Sequence, residues 1–300
     1  MKFSIFQDSR RGGRKVNEDR VAHWQSGEAL LMVVADGLGG HQHGELAAQL
    51  AVDHLGEAFA AQARPKLANP AFFLARAISG AHAALVHEAR VKGLREAPRT
   101  CVAACVAQEG LLHWAHIGDC RLYVARGGRI LARTRDHSLV QRLVDEGRMR
   151  EEAISSHPDR NRLLQCLGGV QMPRFDPAVT HRLERDDVVL LCSDGFWGPL
   201  TQRHISQGLA AKELRASMGA LVALAEARGG PGCDNVSAVA MRWGEGLLER
   251  DGPHTVPQAE PLTDVQDFTA TNPDYLHMSD DEIAKAIAEI RAALRRNALG

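Results

Sequence analysis

The 300-residue chain is 45% hydrophobic and 24% charged with a formal net charge of −1, the profile of an ordinary soluble globular protein with ample material for a core. Near-neutrality removes the global electrostatic case for a nucleic-acid or anionic-membrane partner, and no run approaches the ~20 apolar residues of a membrane-spanning helix. The N-terminus carries no apolar segment of signal-peptide length, and the six cysteines lie mostly in apolar, strand-like segments without C-x-x-C spacing, so a reduced, cytoplasmic protein is expected.

Residues 12–20 (Gly12-Gly13-Arg14-Lys15-Val16-Asn17-Glu18-Asp19-Arg20) form a dense polar segment. It reads either as a solvated loop whose acids balance Arg14, Lys15 and Arg20, or as two adjacent carboxylates beside an arginine, placed to serve a metal and a phosphate. In the second case it pairs antiparallel with the strand that follows. That strand is an apolar run ending on Asp36, which it delivers into the bend Gly37-Leu38-Gly39-Gly40-His41. A buried carboxylate needs a metal, a cation or several N–H donors to face. The alternative is an Asp capping the helix expected from Gly44 onward.

Leu46, Leu50, Leu55 and Phe59 recur at near-helical spacing up to Pro65, and Phe73, Ala77, Ala81 and Leu85 mark a second helix after Pro70. Residues 100–107, 111–117, 121–125 and 129–132 read as strands joined by short turns, which predicts an antiparallel meander with Asp119 in one of its hairpin turns. Residues 138–147 are helical in pattern, and 148–169 are polar and irregular, as in a mobile flap. A second apolar strand, 188–192, stops on Ser193-Asp194-Gly195; two helices then run to Arg228, and the loop 229–235 presents Asp234 just before a strand at 236–241. Three carboxylates at strand ends, far apart in sequence, are odd as three independent caps, whereas convergence on one metal cluster explains them together. Carboxylate oxygens are hard donors, suited to Mg²⁺ or Mn²⁺ and poor for Zn²⁺ or Cu²⁺. Residues 245–278 hold scattered prolines and read as a linker. Residues 279–297 read as an amphipathic helix, opened by the capping box Ser279-Asp280-Asp281-Glu282 and striped by Ile283, Ile287, Ile290 and Leu294.

Taken in order, these motifs resemble the bacterial form of the metal-dependent type 2C protein serine/threonine phosphatases. The family's Arg-x-x-x-Glu-Asp, Asp-Gly-x-Gly-Gly, Gly-Asp-Ser-Arg, Asp-His-Ser, Ser-Asp-Gly and Asp-Asn elements correspond here to Arg14…Glu18-Asp19, Asp36-Gly37-Leu38-Gly39-Gly40, Gly118-Asp119-Cys120-Arg121, Asp136-His137-Ser138, Ser193-Asp194-Gly195 and Asp234-Asn235. The resemblance implies an α+β four-layer sandwich over residues 1–244, two antiparallel β-sheets flanked by helices on both outer faces. It implies hydrolysis of phosphoserine and phosphothreonine on proteins by a metal-activated water, with two or three Mn²⁺ or Mg²⁺ ions per chain. Asp36 then bridges two metals, the Gly37 carbonyl binds one of them, and Asp194 and Asp234 complete the other. Asp19, with Glu18 beside it, would hold metal-bound water; Asp119 matches the aspartate of a third metal. Arg14 matches the residue that clamps the substrate phosphate, a task suited to a planar, bidentate guanidinium. The implied partner is a phosphorylated protein from a serine/threonine kinase signalling pathway, with no nucleic acid and no membrane, and the C-terminal helix is expected to dock in cis or on a partner.

Two rival readings remain: a hydrolase of small phosphorylated metabolites, and a pseudophosphatase that only binds phosphoproteins. The second would be marked by a lost metal carboxylate, and none is lost. Leu38 stands where eukaryotic members carry a histidine proposed as general acid, so no proton donor to the leaving group is assigned. Cys120 replaces the usual serine, and Arg99-Thr100-Cys101 replaces a Gly-Thr-Thr element; neither departure is expected to touch a predicted ligand. Cys120 to Arg126 fits the C-x5-R spacing of cysteine-dependent phosphatases but lacks their glycine-rich loop, and the bend at Gly37 lacks the Gly-Lys-Ser/Thr ending of a nucleotide P-loop. His41, His43, His113, His116 and His137 are read as hydrogen-bonded structural residues.

Overall fold

The structure is a computed structural model and describes residues 1–38, 43–174 and 179–244. Among the described residues, ten strands and six α-helices follow one another as β1 (Phe3–Arg10), β2 (Asp19–Gln25), β3 (Ala29–Gly37), α1 (Gly44–Gln62), α2 (Pro70–Val91), β4 (Thr100–Gln108), β5 (Leu111–Ile117), β6 (Arg121–Arg126), β7 (Arg129–Arg133), α3 (Leu139–Asp145), β8 (Val179–Arg182), β9 (Val188–Cys192), α4 (Asp194–Trp197), α5 (Gln202–Ala210), α6 (Leu214–Gly229) and β10 (Val236–Trp243). The strands form two five-stranded antiparallel sheets, ordered β1-β10-β9-β6-β7 and β2-β3-β4-β5-β8.

The continuous apolar runs of β3, β4, β9 and β10 have a direct cause: these strands are covered on both faces. Side chains alternate across a strand, so Leu30, Met32 and Val34 point into the space between the sheets, while Ala29, Leu31, Val33 and Ala35 point toward α1 and α2. Opposite them, Leu122, Val124, Val189, Leu191, Val239 and Met241 fill the same inter-sheet core. Tyr123, Leu190, Ala238 and Ala240 face outward, onto Phe196, Ile205, Leu209, Met218 and Val222 of α4–α6. The result is the expected four-layer sandwich, helices outside and sheets inside. Truncating one of the fully buried leucines, such as Leu31, to Ala would cost roughly 2–5 kcal/mol.

Local chemistry sets the helix starts. The Asn69 side chain accepts the Phe72 N–H at 3.0 Å ahead of Pro70, Ser138 accepts that of Gln141 at 3.2 Å, and Thr201 and His204 cap each other reciprocally. No helix among the described residues is long and apolar enough to cross a membrane.

Several expectations require correction. The four central strands are not one meander: β4 pairs with β5 and β6 with β7, but β5 and β6 belong to different sheets. Asp119 therefore lies in the crossing from one sheet to the other, not in a hairpin turn. Along α1 the buried face is Ala47, Ala48, Ala51, Val52, Leu55 and Phe59, with half-buried Leu50 packed on the same core. Strands β1 and β8 were absent from the sequence reading. Within residues 148–169, Leu167 bridges to Thr100 and Leu163 to Ser138, so this segment is tied to β4 and to the start of α3. The linker and helix expected at 245–278 and 279–297 lie outside the described residues, as do Gly39, Gly40 and His41.

Candidate metal centre

One end of both sheets gathers the acidic residues. Antiparallel register sets Asp19, the first residue of β2, opposite Asp36 near the end of β3, and Asp36 opposite Cys101 at the start of β4. In the other sheet, β9 ends at Cys192, where it pairs with Ala238 of β10 and Arg121 of β6. The residues that leave or enter these strands, Ser193-Asp194, Asp234-Asn235 and Gly118-Asp119, thus share that end.

Side chains then stitch the two sheets together. The Ser193 hydroxyl donates to Asp19 Oδ2 at 2.7 Å and accepts the Ser237 N–H at 3.2 Å. The Asn235 amide accepts the Glu18 N–H at 2.8 Å and donates to the carbonyls of Arg11 and Val16 at 2.8 and 3.0 Å, pinning the loop that carries Arg14. Arg14 Nη2 donates to Asp234 Oδ2 at 2.6 Å. Gly37 sits where backbones nearly touch: a Cβ there would lie 2.2 Å from the Gly44 carbonyl oxygen and 2.8 Å from that of Glu18. The Glu18 carboxyl lies against Gly44, at the start of α1, and its pKa is raised by burial and by Glu45.

Asp19 and Asp119 are buried; Asp36, Asp194 and Asp234 are half-buried. Burial raises the pKa of Asp19, Asp36, Asp119 and Asp194, and the charges of the neighbouring aspartates raise them further. Among the described residues, no three His, Cys, Asp or Glu side chains close on one point as a finished ligand shell. The donor set nevertheless fits a hard divalent cation. The groups that face one another are carboxylates, and their mutual repulsion is what a cation offsets.

The predicted residues Asp19, Asp36, Asp119, Asp194 and Asp234 are therefore brought to one end of the molecule, with Arg14 on Asp234 and Glu18 at its edge. Sequence reasoning missed their supports, although Ser193 and Asn235 sit inside the quoted motifs. The segment Arg99-Thr100-Cys101, expected to touch no predicted ligand, does touch one. The Thr100 hydroxyl donates to the Asp36 carbonyl at 2.8 Å. Gly118, at φ +97°, packs directly on Cys101 Sγ, where a Cβ would lie 2.1 Å away. Cys120 is buried, and burial pushes its thiol pKa up, while Arg126 is held by Asp187; the C-x5-R spacing carries no thiolate chemistry. His116 bonds the Arg135 carbonyl at 2.7 Å and His137 accepts the Gly118 N–H at 3.3 Å, both as structural residues.

Comparison with known proteins agrees with this arrangement. The family model for protein phosphatase 2C matches residues 7–216. The serine/threonine protein phosphatase PstP of Mycobacterium tuberculosis is 34% identical over 227 residues, 75% of this chain but only 42% of the length of PstP. The serine/threonine phosphatase stp of Listeria monocytogenes is 30% identical over 249 residues, covering 82% of this chain and 95% of that protein. Among solved structures, the catalytic domain of PstP in complex with two manganese ions superposes with a TM-score of 0.68 at 29% identity, covering 80% of this chain and 97% of that one. With two antiparallel five-stranded sheets, the six motifs in order and these likenesses, the chain belongs to the protein phosphatase 2C family.

Proposed function

We propose that the chain is a metal-dependent phosphatase that removes phosphate from phosphoserine and phosphothreonine on proteins, with residues 1–244 as its catalytic domain. The observation that carries this reading is the gathering of Asp36, Asp194 and Asp234 from three separate strand ends, with Arg14 2.6 Å from Asp234. In this reading Asp36, the Gly37 carbonyl, Asp194 and Asp234 hold two Mn²⁺ or Mg²⁺ ions, and Asp119 holds a third. Bound there, the ions supply positive charge for the phosphoryl oxygens and a water acidic enough to attack near neutral pH.

The chain's own residues do the rest. Arg14 is half exposed and bonds Asp234 through a single nitrogen, which leaves guanidinium N–H groups to bind phosphate oxygens beside the carboxylates. Asp19, oriented by the Ser193 hydroxyl, accepts a hydrogen bond from water at the site and fixes its direction. Asn235 holds the Arg14 loop against β10, so the phosphate clamp and the carboxylates keep one spacing. The substrates would come from a serine/threonine kinase pathway in the cytoplasm, and the C-terminal helix would dock in cis or on a partner.

The test is turnover by the full chain of a phosphothreonine peptide against a panel of small phosphoesters, with and without Mn²⁺. Preferential, Mn²⁺-dependent hydrolysis of the peptide is expected. Full activity after chelation would contradict the mechanism. Faster turnover of a small metabolite phosphate would move the substrate class to the first rival, and Mn²⁺ binding without turnover to the second.

A further inference from the structure

Two of the carboxylate-bearing segments are joined by a side chain that belongs to no quoted motif. The short helix α4 begins on Asp194 and ends on Trp197, and the Gly198 N–H closes its turn on the Asp194 carbonyl at 2.7 Å. From that turn the indole Nε1–H donates to the Asp119 carbonyl at 3.0 Å. The ring lies on the Arg121 guanidinium, whose central carbon is 3.4 Å from the ring centroid. Arg121 is itself immobilised: it is buried, bonded to both oxygens of buried Asp136 at 2.8 and 2.7 Å, and donates to the Tyr123 hydroxyl at 3.2 Å. In the sheet it stands opposite Cys192, two residues before Asp194.

We propose that Trp197 is a positioning residue for the reaction read above: clamped on the Arg121–Asp136 pair, its indole N–H holds the Asp119 segment at a fixed distance from Asp194. The inference rests on that reading, since it matters only where one site uses both carboxylates. Among the described residues the sheet crossing at Gly118-Asp119 has no strand partner: the Gly118 carbonyl accepts the His137 N–H at 2.8 Å, and the Asp119 carbonyl, one peptide further on, accepts the indole N–H. The stack makes the donor rigid, because a planar guanidinium held by two carboxylate bonds cannot rotate away from the ring. A Trp that merely fills space would, when altered, change stability alone. A Trp that sets the Asp119–Asp194 spacing changes metal uptake at equal stability.

The test is calorimetric Mn²⁺ titration of the full chain, together with kcat and KM on a phosphothreonine peptide. Trp197→Phe keeps a ring over Arg121 and removes the donor. It should weaken the Asp119-dependent Mn²⁺ step by at least ~10-fold, lower kcat and leave KM unchanged. Placed on Asp119→Ala, it should add no further loss, the mark of two groups acting through one contact. Arg121→Lys keeps the charge opposite Asp136 but loses the planar stack, and should reproduce the loss; it decides the matter if Trp197→Phe does not fold. A folded variant with the wild-type isotherm, or a loss that persists in full on Asp119→Ala, overturns the proposal. Wild-type protein that takes up no Mn²⁺ overturns both this link and the proposed function, whereas wild-type uptake with unchanged variants overturns the link alone.

Discussion

Two sets of aspartates in this molecule have opposite surroundings. Asp136 has both oxygens bonded to Arg121 at 2.8 and 2.7 Å, and fully buried Asp187 has both bonded to Arg126 at 2.6 and 2.9 Å. Asp19, Asp36, Asp119 and Asp194 instead lie within one another's fields, with Arg14 bonded to Asp234 at their rim. A carboxylate held by a bidentate guanidinium is electrostatically complete and serves the fold. A group of carboxylates held together against their repulsion costs stability, and a fold keeps such a group where a cation or a reaction uses it. Motif position alone does not separate the two classes, since Asp136 and Asp36 both sit inside family motifs.

The comparison breaks most sharply under substitution. Asp36→Asn should lower Mn²⁺-dependent turnover by roughly 10³-fold, several kcal/mol of transition-state stabilisation. It should leave the thermal midpoint of metal-free protein unchanged or higher, because it removes repulsion. Asp136→Ala does the reverse to the fold. It strands a buried guanidinium, at a cost of roughly 3–5 kcal/mol, or on the order of 10 °C in the midpoint of a domain this size. Equal thermal effects of the two substitutions, read by scanning calorimetry, would erase the distinction.

A smaller effect sharpens it. Burial and neighbouring charges raise the folded-state pKa of the clustered aspartates above the ordinary ~3.9. Above that pH the folded chain holds more protons than the unfolded chain, so stability present in acid is lost as pH rises through the raised values. Metal-free protein should therefore melt a few degrees lower at pH 8 than at pH 5.5, on the order expected for one or two kcal/mol. Saturating Mn²⁺ should reduce that slope, because the ion displaces the protons. A metal-free midpoint that rises between those pH values would mean the cluster is not what sets the trend.

Much of this was legible in the sequence, for reasons particular residues make clear. β3 announced itself because both of its faces are covered, which forces apolar residues at every position from Ala29 to Ala35. Asp36, Asp194 and Asp234 stood out as carboxylates ending or opening such runs. β1 was invisible because most of its side chains are half-buried and carry no clean alternation. The sheet crossing at Asp119 was read as a hairpin because a glycine-bearing turn looks the same locally whether the chain folds back or changes sheet. The contact of Thr100 was missed because it arises from register between β3 and β4, with Thr100 and Asp36 64 residues apart, and that of Cys101 because β4 pairs with β5, which leads into Gly118. Spacing in sequence records which residues a strand delivers, not which strand lies beside it.

The central claim is that the clustered aspartates form a divalent-metal site. The most direct measurement is calorimetric titration of the metal-stripped chain with Mn²⁺ at neutral pH, beside Asp36→Asn. Saturable uptake of at least two ions by the wild type, lost in Asp36→Asn, is the predicted result. A wild-type chain that binds no Mn²⁺, or an Asp36→Asn chain that binds as many ions as tightly, would contradict it.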